Sequence, residues 1–174
     1  MTMETAFYES AMNGIAISIS FAFLVLILAT CNLLVSFIAT GCITSIVFIL
    51  VGLMQMKDWE LGVAEATSIV VLIGLSVDYV VHLAAEYIVS PKQSRKQKMA
   101  QAYHHMGLSI FSGCVTTMGA GSFMMLGELS LNRKFGYTIT TTMAISFFIS
   151  MVYFGALMHI VGPEKGFCDI LQMF

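Results

Sequence analysis

An all-α membrane protein, a bundle of five transmembrane helices, is the fold class this sequence predicts, and three observations predict it. Hydrophobic residues make up 58% of the 174 positions and charged residues only 10%, far below the roughly 25% charged content of soluble domains. No Asp, Glu, Lys or Arg occurs between Ser10 and Met56. Most of the remaining charges fall in short clusters that cut the rest of the chain into further apolar runs long enough to cross a bilayer. Fourteen Met, thirteen Phe and fourteen Gly with only two Pro fit helices packed in lipid. A net charge of −2, with one short basic loop and no basic stripe, argues against a nucleic-acid partner.

The uncharged run from Ser10 to Met56 would make a helix about 70 Å long at 1.5 Å per residue, more than twice a hydrocarbon core of about 30 Å. Two passes are therefore expected, near 12–31 and 34–56, broken at Cys31-Asn32 and joined so tightly that the helices are antiparallel neighbours. Lys57-Asp58-Trp59-Glu60 follows, and Trp59 suits a membrane–water interface. A third span is expected over about 61–88. Glu65 near its start is shallow and reads as an acid favoured by the helix dipole. Pro91 ends this helix, and a polar loop over 89–103 carries Lys92, Arg95, Lys96 and Lys98. The fourth and fifth spans are expected at about 104–127 and 136–161, with Gly162-Pro163 stopping the last.

Five spans put the termini on opposite sides. The 89–103 loop and the tail hold five of the eight Lys and Arg; Lys57, Arg133 and Lys134 lie on the other side. The positive-inside rule makes that loop and the C-terminus cytoplasmic and the N-terminus extracytoplasmic. Cys31, Cys42 and Cys114 sit within apolar runs and read as small packing residues. Cys168, alone near the end, reads as a free thiol. Met1–Ser10 carries Glu4 and Glu9 and no basic residue, so no cleavable signal is visible.

Chemistry concentrates on the third span, where Asp78, His82 and Glu86 recur every four residues. On a helix that spacing sets them on one slowly rotating face. Gly74, one turn earlier, leaves a niche on the same face. An acid near the centre of a membrane helix costs about 2.5–3.5 kcal/mol on insertion scales, so it normally faces other helices, a cavity or an ion. In one reading Asp78 binds and releases a proton or small cation. In the other it only bonds a neighbouring helix, a role that a cheaper Ser or Asn would fill. His82 and Glu86 extend the line towards the cytoplasmic end, as an access path or, for Glu86, a solvated helix end.

The fourth span is dense in small and hydroxylated residues, a composition suited to tight helix contacts. Its Thr116 and Thr117 lie near mid-span, either sharing a proton or ion with Asp78 or bonded back to their own helix. Thr138 and Thr140–Thr142 on the fifth span read as packing or interfacial. His104 and His105 are adjacent, so they point apart on a helix and do not make a metal pair, and His159 reads as interfacial. One deep acid, with no Gly-x-Ser-x-Gly, does not equip a membrane protease, and no enzyme activity, metal or cofactor is expected beyond a coupling Na+ or H+.

Trp59 to Glu65, the Gly74-Leu-Ser-Val-Asp78-Tyr79-Val-Val-His82 stretch, Phe7-Tyr8-Glu9-Ser10 and the closing Gly162-Pro163 together resemble the Dispatched–Patched branch of the resistance-nodulation-division (RND) transporters, nearest to Dispatched-like members. The resemblance covers nearly the whole chain. It implies the last five helices of the second six-helix half of an RND membrane domain, with Gly74 and Asp78 as that half's copy of the intramembrane acidic motif. It further implies cation- or proton-driven export or extraction of lipids, sterols or lipidated proteins. A first half carrying the partner acids is implied as a partner, the chain itself being a fragment, a truncated version or a short subunit that assembles with it. The alternative is a non-transporting membrane scaffold or assembly subunit in which Asp78 bonds a partner helix.

Overall fold

The computed structural model describes residues 3–56, 63–91 and 94–163. Five long helices carry the fold: α1 (Met3–Thr30), α2 (Leu33–Met56), α3 (Val63–Val89), α4 (Arg95–Met125) and α5 (Ser130–Phe148). The fifth continues through a π-helical stretch, Ile149–Phe154, into the short α6 (Gly155–Val161). Among the described residues, five helical segments are long and apolar enough to span a bilayer: Met12–Thr30, Leu33–Met56, Ile69–Val89, Arg95–Met125 and Ser130–Val161. The molecule is an all-α membrane bundle.

The first break has a local cause. Cys31 adopts a left-handed φ of 48°, the conformation that commonly closes a helix but that L-residues other than Gly and Asn enter at a cost. Asn32 then caps α2: its Oδ1 accepts from the amides of Leu34 (3.2 Å) and Val35 (3.3 Å), two of the donors a helix start leaves unpaired. Thr30 and Ser36 hydroxyls meet at 2.9 Å across the turn, so α1 and α2 are pinned side by side.

α3 is the hub, packing against α1, α2, α4 and α5. Its buried positions include Leu72, Ile73, Ser76, Val80, Leu83, Ala84 and Tyr87, a broad apolar face that the neighbours close over. α4 and α5 form the second hairpin and approach through glycine: a Cβ on Gly136 would meet the Gly121 carbonyl oxygen at 2.5 Å and the Met125 nitrogen at 2.8 Å. Small residues let helix backbones come this near in lipid, where packing rather than water exclusion drives association.

Three helices start earlier than the spans expected from the sequence, α1 at Met3 rather than near 12. The loop predicted over 89–103 is shorter, because α4 already begins at Arg95. Arg, Lys, Gln, Met and Ala over 95–102 are good helix formers. Lys98, Met99 and Ala102 are buried within the bundle, so this helix extends beyond the part that hydropathy alone recognises. α5 likewise starts at Ser130 rather than 136, with Lys134 accepting at its carbonyl from the Thr138 hydroxyl (2.7 Å). Thr138 and Thr142 are buried in the packing. The cluster Lys57–Glu60, with Trp59, and Cys168 lie outside the described residues, as does the side chain of Glu65.

The end of the bundle at the α3–α4 loop is cross-tied by polar groups. Tyr87 donates its hydroxyl to the Pro163 carbonyl (3.3 Å) and Arg95 Nη1 donates to the Ile160 carbonyl (2.7 Å). Ser90 Oγ donates to Gln101 Oε1 (2.9 Å), and Lys98 Nζ lies 5.3 Å from the centre of the Tyr87 ring. Tyr103 donates its hydroxyl to the Met151 carbonyl, in the π-helical stretch, where the wider winding changes which carbonyls the helix itself uses. A Cβ on Gly155 would collide with that same Tyr103 hydroxyl, so the tyrosine requires glycine there.

Candidate functional site

Asp78 stands near the middle of the Ile69–Val89 membrane segment, on the one side of α3 that the bundle leaves uncovered. Thr67, Val71, Gly74, Asp78 and His82 are all exposed, a stripe with spacings of three and four residues that follows the helical repeat. A Cβ on Gly74 would meet nothing within 4 Å, so the space beside Asp78 is open there.

Asp78 and His82 of this stripe line a cleft of about 480 Å³ between α3, α4 and α5. From α3 come Leu75, Asp78, Tyr79 and His82; from α4, Met106, Ser109, Ile110, Gly113 and Thr117; from α5, Met143. The Asp78 carboxylate makes no hydrogen bond to any described residue and is exposed in this five-helix bundle. Beside it, Tyr79 is buried and donates its hydroxyl to Met143 Sδ at 3.4 Å, while Cys114 lies within 3.7 Å of the Met143 carbonyl. Contacts through sulfur therefore tie α3, α4 and α5 together beside the acid.

Of the residues the sequence singles out, the cleft brings together Asp78, His82 and Thr117. Gly74 is their neighbour one turn along the exposed stripe. Thr117 donates its hydroxyl to the Gly113 carbonyl (2.9 Å), leaving oxygen lone pairs able to accept from the cleft. Thr116 is exposed, bonds back to the Ser112 and Gly113 carbonyls (3.1 and 3.0 Å) and does not line the cleft.

Sequence reasoning missed Tyr79 and Ser109 as cleft residues, and it missed the role of His105. His105 Nδ1 donates to Glu86 Oε1 at 2.7 Å, joining α4 to α3. The signal available in the sequence was the four-residue step His105 to Ser109 on α4, facing the same step from Glu86 to His82 on α3. Which faces meet depends on helix rotation, which spacing does not encode. No cluster of three or more His, Cys, Asp or Glu able to hold a metal occurs among the described residues.

Comparison with known proteins finds relatives of this sequence. The chain is 30% identical over 162 residues to Protein dispatched homolog 1 of Mus musculus, an alignment covering 93% of this chain and 11% of that protein. Against Protein dispatched homolog 2 of Homo sapiens it is 28% identical over 158 residues, 91% of this chain and 11% of the relative. NPC intracellular cholesterol transporter 1 of Sus scrofa matches at 28% over 114 residues, 65% of this chain and 9% of the relative. The chain thus spans about a tenth of the length of these relatives. The likeness to Dispatched and to the RND transporters noted in the motifs is what these alignments return. The MMPL family model matches residues 2–169, nearly end to end, and this multi-pass membrane chain belongs to the MMPL family.

Proposed function

We propose that the chain is a half-module of a cation- or proton-coupled RND-type transporter that exports or extracts lipids, sterols or lipidated proteins, with Asp78 as its intramembrane coupling acid. The observation that carries this reading is an acid at mid-membrane depth on an uncovered stripe, bordering a cleft with His82, Ser109 and Thr117. A carboxylate in hydrocarbon needs a compensating partner. A second, equivalent half, elsewhere in a longer polypeptide or on a separate chain, supplies one by covering the stripe. A proton or Na+ held between the halves then couples to their relative rocking, since one charge moved through 100 mV is worth about 2.3 kcal/mol. Thr117 and His82 act as polar neighbours of the ion; Gly74 keeps the approach of the opposing helix open. The membrane orientation that fits has the α3–α4 loop in the cytoplasm.

In a full-length transporter carrying this segment, Asp78→Asn is expected to abolish export of cargo while surface abundance stays unchanged. Undiminished export at normal abundance refutes the reading.

The uncovered, unbonded carboxylate also favours a second reading, a non-transporting assembly subunit in which Asp78 bonds a partner helix. Co-purification separates the two. Under the assembly reading Asp78→Asn keeps partner and function and Asp78→Leu loses the partner, whereas under the transport reading Asp78→Asn keeps the partner and loses function.

A further inference from the structure

The Asp78 cleft runs between α3 and α4 towards the loop that joins them. Along α3 its lining runs through Leu75, Asp78, Tyr79 and His82, and along α4 through Thr117, Gly113, Ile110, Ser109 and Met106. One turn beyond His82 on α3 is Glu86, and one turn beyond Ser109 on α4, next to the lining residue Met106, is His105. These two side chains are bonded to each other at 2.7 Å. Glu86 is 17% exposed and His105 51% exposed, so the pair sits between the bundle interior and the surface. His104 stands against His105 edge-on, with ring centres 5.8 Å apart. Beyond the pair the polar, cross-tied loop end begins, where Ser90 meets Gln101.

We infer that the Glu86–His105 contact is a gate across the loop-end mouth of the Asp78 cleft, which separates when a water-borne proton or small cation enters from that side. The inference rests on the reading of Asp78 as the coupling acid and names the route by which that site is filled. Three geometric facts support it. Glu86 lies one turn beyond His82 and His105 one turn beyond Ser109, so the contact adjoins both walls and parting it lengthens the existing cleft rather than opening a new one. The gate's atoms belong to two different helices, so a small relative movement of α3 and α4 breaks it. A partly exposed polar contact is also weak enough to open on the scale of a transport cycle. The ends of α3 and α4 stay joined through Ser90–Gln101, so the gate opens without the hairpin coming apart.

The test uses the whole 174-residue chain in phosphatidylcholine vesicles, with Cys31, Cys42, Cys114 and Cys168 changed to Ala and Ser109→Cys as a reporter inside the cleft. The probe is a membrane-impermeant trimethylammonium methanethiosulfonate present on both sides, and the readout is its reaction rate. Glu86→Gln and His105→Gln are each expected to raise the rate roughly threefold, the shift a weak, partly exposed contact sustains. The exchanged pair, Glu86→His with His105→Glu, is expected to restore the slow rate. Should a single variant lose helix content, Glu86→Asp replaces it, keeping the charge with a shorter reach, and is expected to give an intermediate rate. Equal rates in all variants overturn the inference, as do raised rates that the exchanged pair fails to lower. Access is read here without transport, so failure of the gate leaves the export test at Asp78 intact. Failure of that export test equally leaves the labelling result in place.

Discussion

The two sides of α3 obey different rules. One side, with Leu72, Ile73, Val80, Leu83 and Tyr87, is sealed by neighbouring helices. The other carries Val71, Gly74, Asp78 and His82 and is exposed. Apolar residues fill the side that the other helices seal, and the acid stands on the side left exposed among the described residues. In lipid this is the reverse of what stability alone selects, because a carboxylate facing hydrocarbon is penalised and a leucine there is not. The difference teaches that the sealed side builds the bundle, while the open side carries a residue that packing within the bundle does not explain.

The contrast is broken most severely by moving polarity between the sides. Asp78→Leu is expected to favour membrane insertion of α3 by about 3 kcal/mol, read as the inserted fraction of that segment in a glycosylation-mapping assay. An unchanged fraction would mean that Asp78 is already compensated within this chain. On the sealed side Leu83→Ala is expected to destabilise the folded bundle by about 2 kcal/mol in reversible unfolding from detergent, the low end for a buried leucine because lipid removes much of the transfer contribution. Val71→Ala on the open side should change the same measurement by less than about 0.5 kcal/mol. Smaller effects belong to the turn that aligns α1 and α2. Asn32→Ala removes the α2 cap and is expected to lose about 1 kcal/mol. Cys31→Gly relieves the left-handed backbone and should gain several tenths of a kcal/mol up to about 1, visible as a modest rise in melting temperature.

Much of the bundle was legible because lipid imposes a length rule. An uncharged run too long for one crossing had to break, and Asn, which prefers helix starts, marked the place at Asn32. Legibility failed where residues leave the hydrocarbon: Arg95 to Ala102 are polar enough to read as loop, yet they are helical because Met99 and Ala102 pack inside. In the site, the four-residue rhythm of Asp78, His82 and Glu86 was visible, since periodicity is local. The pairing of Glu86 with His105, 19 positions away in the chain, was not, because it depends on how two helices are turned towards each other. Thr116 and Thr117 illustrate the same limit: adjacent in sequence, they diverge by about 100° around α4, and only Thr117 reaches the cleft.

The widened winding at Ile149–Phe154 also fixes where everything after it points. A π-helical stretch amounts to one inserted residue, so a helical wheel drawn straight through Ser130–Val161 misassigns the faces of Met158 and His159 by roughly a quarter turn. Deleting a single residue from that stretch would swing the C-terminal segment around its own axis and carry the Gly155 notch away from Tyr103. The last segment of this chain is thus seated by an irregularity of pitch, and a regular helix of the same composition would dock with the wrong side inward.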